Sequence, residues 1–139
     1  MSTPVEETLV LIKPDGVVRS LTGEILRRIE AKGYSLVDIR IVQADRELLA
    51  KHYEEHQGKP FYEPLVEFME SGPIVAIRIA GNRVIEGFRS LAGTTDPTTA
   101  APGTIRGDLA RDWGLPVQQN LVHGSDSPES AARELGLWF

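Results

Sequence analysis

The sequence predicts an α+β fold: a ferredoxin-like α/β sandwich with a four-stranded antiparallel sheet, helices on one face, additional helices and one long loop. Two observations carry this. Strand and helix patterns follow one another as β-α-β, then helices, then β-α-β, then a last helix. The 139 residues also suit a single domain spanning 1–139, because a chain of this size buries roughly 68% of its unfolded surface without staples.

Thr8-Leu9-Val10-Leu11-Ile12 reads as a buried strand, and Lys13-Pro14-Asp15-Gly16 has the chemistry of a turn. Leu21 to Lys32 is a helix with Ile25, Leu26 and Ile29 on one face and Gly33 as its stop. From Leu36 to Val42 the pattern alternates, Val37, Ile39 and Ile41 pointing one way and Asp38 and Arg40 the other. That predicts a strand with one wet face. Asp45 caps a helix running to His56, and a short helix covers Glu63 to Glu70. Ile74 to Ile79 is the third strand. Asn82 caps a helix with Val84, Ile85, Phe88 and Leu91 as its apolar stripe, ended by Gly93. Thr94 to Gln119 is irregular and rich in Thr, Pro and Gly; a stretch of that length in a small domain points to function or disorder. Asn120 to His123 is the fourth strand. Ser127 caps the last helix, to Leu135, with Pro128 at its first position.

Composition narrows the classes. There is no cysteine, which excludes thiolate metal sites, cysteine nucleophiles and disulfides. The net charge of -5 argues against a main task of gripping nucleic acid or an anionic membrane. No apolar stretch approaches the ~18 residues of a membrane span. The segment Met1 to Glu7 is polar and acidic, unlike a secretion signal. These features predict a cytoplasmic protein with no membrane partner and no specific nucleic-acid partner.

The chemistry concentrates at His123. A short apolar run delivers this imidazole to Gly124-Ser125-Asp126-Ser127, beside a fresh helix N-terminus. An anion held there lies close to a nucleophilic nitrogen. Glu134, inside the helix, is placed to reach back and orient the ring. The chain has no Gly-x-x-x-x-Gly-Lys-Ser/Thr loop, so phosphates would be held by side chains: Lys13, Arg89 and Arg106. Each alone also reads as a solvated surface charge, the commoner fate of Lys and Arg, with Arg106 the least ordinary of the three. Phe61 offers either core packing or a flat face for a nucleobase.

Asn120-Leu121-Val122-His123-Gly124-Ser125-Asp126-Ser127, Pro102-Gly103-Thr104-Ile105-Arg106-Gly107-Asp108, Lys13-Pro14-Asp15-Gly16, His52-Tyr53 and Ser71-Gly72-Pro73-Ile74-Val75 together resemble nucleoside diphosphate kinases, in the family's order over nearly the whole chain. The resemblance implies a ping-pong reaction. A nucleoside triphosphate, typically ATP, phosphorylates His123, and a nucleoside diphosphate takes the phosphate away, maintaining NTP and dNTP pools. It implies that Glu134 holds the other ring nitrogen and that Ser125 supports Glu134 or the phosphorylated ring. It places Lys13, Tyr53 and Asn120 near the ribose and phosphates, Arg89, Thr95 and Arg106 on the phosphates, and Phe61 on the base. It implies Mg2+ as cofactor. With no acidic cage in the sequence, that ion is expected to arrive on the nucleotide's phosphates, with no metal ligand from the protein; Asp126 either touches its water shell or caps the last helix. The implied assembly is a homo-oligomer, a hexamer ahead of a tetramer.

The competing reading is a ferredoxin-like module that binds single-stranded nucleic acid by stacking bases on its sheet. Against it, Leu36 to Val42 and Ile74 to Ile79 contain no aromatic residue.

Overall fold

The structure, a computed structural model, describes residues 5–139. Residues 1–4, part of the polar N-terminal segment, lie outside the described residues. Strand β1 (Glu6–Ile12) leads into a short helix α1 (Pro14–Val18), then α2 (Thr22–Lys32) and β2 (Ser35–Val42). Helix α3 (Arg46–His52), a 3-10 turn (Glu54–His56) and α4 (Tyr62–Glu70) come before β3 (Ile74–Gly81) and α5 (Val84–Ala92). Helix α6 (Ile105–Leu109), β4 (Val122–Gly124) and α7 (Pro128–Trp138) complete the order.

The sheet order is β2-β3-β1-β4, and every neighbouring pair is antiparallel. Strand β1 lies inside the sheet and is apolar on both sides. Val10 and Ile12 join Val75, Ile77 and Ile79 of β3 in a core with Ile25 and Ile29 of α2 and Phe88 of α5. Leu9 and Leu11 face the opposite way, into a second core with Leu49 of α3, Met69 of α4, and Leu135 and Trp138 of α7. The helices of the two β-α-β halves therefore share one face, as expected, and the additional helices cover the other.

Local details depart from expectation where distant contacts decide. Lys13-Pro14-Asp15-Gly16 does not make an open turn. Lys13 is the N-cap of α1, and Pro14 occupies the first helical position, where its missing N–H costs nothing. The predicted helix from Asp45 stops at His52 and continues as the separate 3-10 turn, although Asp45 does cap it by accepting from the Leu48 N–H (2.8 Å). Asn82 does not cap α5. The helix starts after Arg83, which sits in the left-handed region (φ 55°), and the free Ile85 N–H is taken by Glu6 Oε1 at 3.0 Å. A strand side chain does the capping, which no local pattern encodes.

The predicted wet face of β2 is not its only exposed one. Val37, Ile39 and Ile41 are 50%, 43% and 78% exposed on this edge strand, and a bulge between Leu36 and Asp38 takes Val37 out of register with the other two. Arg40 instead lies over the Phe139 ring, 4.8 Å from its centroid. The long irregular segment contains α6, capped by Thr104, whose side chain accepts from the Gly107 N–H. A Cβ at Gly107 would collide with the Ala101 carbonyl, so this bend requires glycine. The fourth strand is shorter than expected because Leu121 takes a positive φ of 73°, ending extended backbone before Val122.

Candidate active site

Strand β4 pairs with β1 through only three residues, and His123 stands opposite Leu11. Its ring is 22% exposed. Next to it, Gly124 leaves room for Phe88: a Cβ there would lie 2.7 Å from Phe88 Cδ2. Ser127 caps α7 by accepting from the Ser130 N–H (3.1 Å), so the cap is not Asp126. Along α7, Ala131, Glu134, Leu135 and Trp138 share the buried face, and helical spacing thereby carries one carboxylate inward. Glu134 Oε1 accepts from His123 Nε2–H at 2.7 Å and from the Ser125 hydroxyl at 2.7 Å. Burial acts to raise the Glu134 carboxyl, but the hydrogen bond and charge of His123, with the Ser125 hydroxyl, outweigh it and hold it well below the usual carboxylate range. An ionised carboxylate only accepts, so His123 presents Nε2–H to it, and in the neutral ring Nδ1 is the bare nitrogen.

A set of cations faces this pair. His123 and Glu134 share a cleft of about 920 Å³ with Lys13, Tyr53, Arg89, Thr95, Arg106 and Asn120. Lys13 Nζ donates to Asn120 Oδ1 at 2.9 Å, and Asn120 Nδ2 donates to the Thr95 carbonyl at 3.0 Å. Burial and the Arg106 charge pull the Lys13 ammonium down to about 8, against the pull of Asp15. Arg106 is not in open loop. It rides on α6 and donates to three carbonyls: Asn120 (3.2 Å), Gly93 (2.9 Å) and Val122 (2.7 Å). Burial and Arg89 lower its guanidinium to about 10, still charged at neutral pH.

Two of the expected residues sit apart. Ser125 lies behind Glu134, 1% exposed. Phe61 is outside the cleft wall and 49% exposed, which removes the core reading; its ring packs edge-on to His56, which does line the cleft, at 5.2 Å. Three neighbours receive no role from the sequence, although His52 and Asp15 stand in blocks that carry the family resemblance. His52 packs against His123 from the end of α3, ring centroids 4.8 Å apart. Trp138 donates to His52 Nδ1 at 3.0 Å. Buried Asp15 accepts from the strained Leu121 N–H at 3.1 Å. Each depends on a contact across more than 70 residues of sequence.

Among the described residues, one group has the spacing of metal ligands: His52, His123 and Glu134, with ligand atoms within 4.8 Å of one another. Its chemistry does not suit Mg2+, which prefers oxygens and retained waters. Two ligands are ring nitrogens, one already engaged by Trp138, and the carboxylate oxygen already accepts twice.

The arrangement is a nucleophilic nitrogen facing fixed cations, which suits phosphoryl transfer. A family model described as nucleoside diphosphate kinase matches residues 6–139. The chain belongs to the nucleoside diphosphate kinase family. A relative of that name from Streptomyces avermitilis is 58% identical over 135 residues, 96% of each chain. Another, from Mycobacterium sp. (strain MCS), is 60% identical over 135 residues, again 96% of each. Among solved structures, a halophilic nucleoside diphosphate kinase from Halobacterium salinarum in complex with CDP superposes with a TM-score of 0.91 at 44% identity, covering 98% of this chain and 88% of that one. A family protein from Babesia bovis gives 0.89 at 42%, covering 96% and 88%. Like its nucleoside diphosphate kinase relatives, the chain has the four-stranded ferredoxin-like fold, and it is an enzyme, a phosphotransferase. The nucleic-acid-binding alternative is not favoured. No described helix is long and apolar enough to cross a membrane.

Proposed function

We propose that the chain, a single nucleoside diphosphate kinase domain, moves the γ-phosphate of a nucleoside triphosphate to a nucleoside diphosphate through His123 Nδ1. The observation that carries this reading is the His123–Glu134 bond of 2.7 Å: it holds the ring proton on Nε2 and leaves the opposite lone pair bare. In the first half-reaction a bond forms from Nδ1 to the γ-phosphorus, the bond from phosphorus to the bridging oxygen breaks, and the diphosphate leaves. In the second, a terminal oxygen of the acceptor diphosphate attacks the phosphorus and the nitrogen leaves. No proton has to move in either direction.

Lys13, Arg89 and Arg106, with Thr95 and Asn120, steady the phosphate oxygens, where charge collects in a loose transition state. Tyr53 faces the sugar. Burial, aided by the Glu134 charge, pushes its phenol up, so it stays a neutral donor. Phe61, half exposed at the rim, stacks on the base with little discrimination. Ser125 holds Glu134 in place. Mg2+ carried on the nucleotide would supply charge neutralisation at the phosphates, and Asp126, which lines the cleft, would contact its water shell. The exposed apolar side chains of β2 support a homo-oligomer, hexamer or tetramer, since such patches ordinarily meet a partner. The absence of cysteine agrees with a cytoplasmic place of work.

Incubation with labelled ATP and Mg2+ tests the reading. The expected product is an acid-labile, base-stable phosphoprotein that GDP discharges. His123→Ala forms none yet still binds nucleotide. Near-wild-type transfer by that variant would refute the assignment.

A further inference from the structure

His52 is 4% exposed in the wall of the cleft and takes no part in the steps above. Three rings box it edge-on: Tyr53 at 4.6 Å, His123 at 4.8 Å and Trp138 at 5.5 Å, with interplanar angles of 86°, 75° and 87°. The Trp138 contact is also a hydrogen bond, Nε1–H to His52 Nδ1 at 3.0 Å, and it is buried. Indole nitrogen only donates, so His52 Nδ1 is bare and the ring's single proton sits on Nε2.

His123 needs a second support. One hydrogen bond to Glu134 fixes its Nε2 but leaves the ring free to swing about that bond. The His52 ring, steeply inclined to it with centroids 4.8 Å apart, is a second contact. The support works only while His52 is uncharged, because an imidazolium within 4.8 Å of Glu134 and His123 would compete for the same carboxylate. The charged and titratable groups facing His52 are His123 on β4, Glu134 and Arg133 on α7, Lys13 ahead of α1 and Tyr53 after α3. Burial dominates and, with the charges of His123, Arg133 and Lys13, keeps its protonation down to about 3, against the pull of Glu134.

We propose that His52 is a positioning residue for the phosphoryl-carrying ring: held by the Trp138 N–H in its uncharged Nε2–H form, it fixes the plane of His123 and leaves the Glu134 carboxylate to that ring alone. This rests on His123 being the phosphoryl carrier.

The test uses the full chain labelled with ¹⁵N-histidine. Long-range proton–nitrogen spectra of the wild type are expected to show His52 protonated on Nε2 and bare on Nδ1. Trp138→Phe keeps an aromatic wall but deletes the donor. It is expected to mix the His52 tautomers, lower kcat about 10-fold with nucleotide KM within about 2-fold, and move the acid limb of the pH–rate profile upward. A wild-type spectrum with the proton on Nδ1 overturns the proposal whether or not the variant folds. So does a folded Trp138→Phe with wild-type kcat, or one whose loss lies wholly in KM. If the wild type takes no phosphate from ATP, the proposed function fails and this inference with it; if it takes phosphate normally, any of the other adverse results sinks this inference alone.

Discussion

Gly124→Ala tests how rigidly the reactive strand is built in. The added Cβ would stand 2.7 Å from Phe88 Cδ2 and 3.0 Å from Cε2, against a comfortable carbon–carbon separation of about 3.5–4.0 Å. Something must move by roughly 1 Å. Phe88 is fully buried among Val10, Ile12, Val75 and Ile77 and has nowhere to go. Strand β4 is held to β1 by three residue pairs and is the weaker partner. The expected cost is about 1–3 kcal/mol of stability, the usual range for overpacking. Because His123 is the neighbouring residue, a shift of that size also lowers phosphoryl transfer by up to about 100-fold. Gly136→Ala in α7 is the control. Nothing lies within 4 Å of its added carbon, and helical propensity predicts a gain of about 0.5–1 kcal/mol. Urea midpoints and the single-turnover rate of phosphoenzyme formation read the two effects. An unchanged midpoint for Gly124→Ala would mean that Phe88 yields freely. A lowered midpoint with an unchanged rate would show that β4 does not carry the strain to His123.

Other expectations follow from single contacts. Glu6→Ala removes the cap of α5 and costs about 0.5–2 kcal/mol in denaturant unfolding, whereas Asn82→Ala stays within about 0.5 kcal/mol. His52 protonates at about 3 when folded but at 6.5 as a free side chain. The unfolded chain thus binds the proton first, and the stability this group contributes is full above pH 6.5 and is lost as pH falls toward 3. From about pH 7.5 to pH 5 its share of the loss is about 2 kcal/mol, and His52→Asn flattens that slope in urea titrations. Lys13, lowered to about 8, loses its charge as pH rises past that value; nucleotide KM therefore climbs above about pH 8 in the wild type, while Lys13→Met starts high and stays flat.

The sequence made the strands legible because their apolar runs are long and bounded by turn residues. Ile25, Ile29, Val84, Ile85 and Phe88 fall in the cores of the helices assigned to them. The chemistry-bearing blocks were legible because Lys13, Arg106 and His123 sit in unusual local company, and the structure brings them to one cleft. What stayed hidden is non-local. Glu6 caps a helix 79 positions away, and Trp138 donates to a histidine 86 positions away. The exposure of Ile39 and Ile41 was invisible for a related reason: they stand opposite Ile77 and Val75, on the face of the first core, but alternation does not report that β2 is the edge strand, nor that a bulge takes Val37 out of register.

The strand that carries His123 is the last in its sheet, so half of its backbone groups point away from β1. Such a margin is where a stray chain can dock and extend the ladder. Here the Val122 carbonyl is already occupied by Arg106, whose guanidinium also ties down Asn120 and Gly93. One side chain thus acts as a stopper: it keeps the border open to a small phosphorylated guest while denying it to another polypeptide. Losing Arg106 would weaken more than electrostatics, because it would also unseal that border.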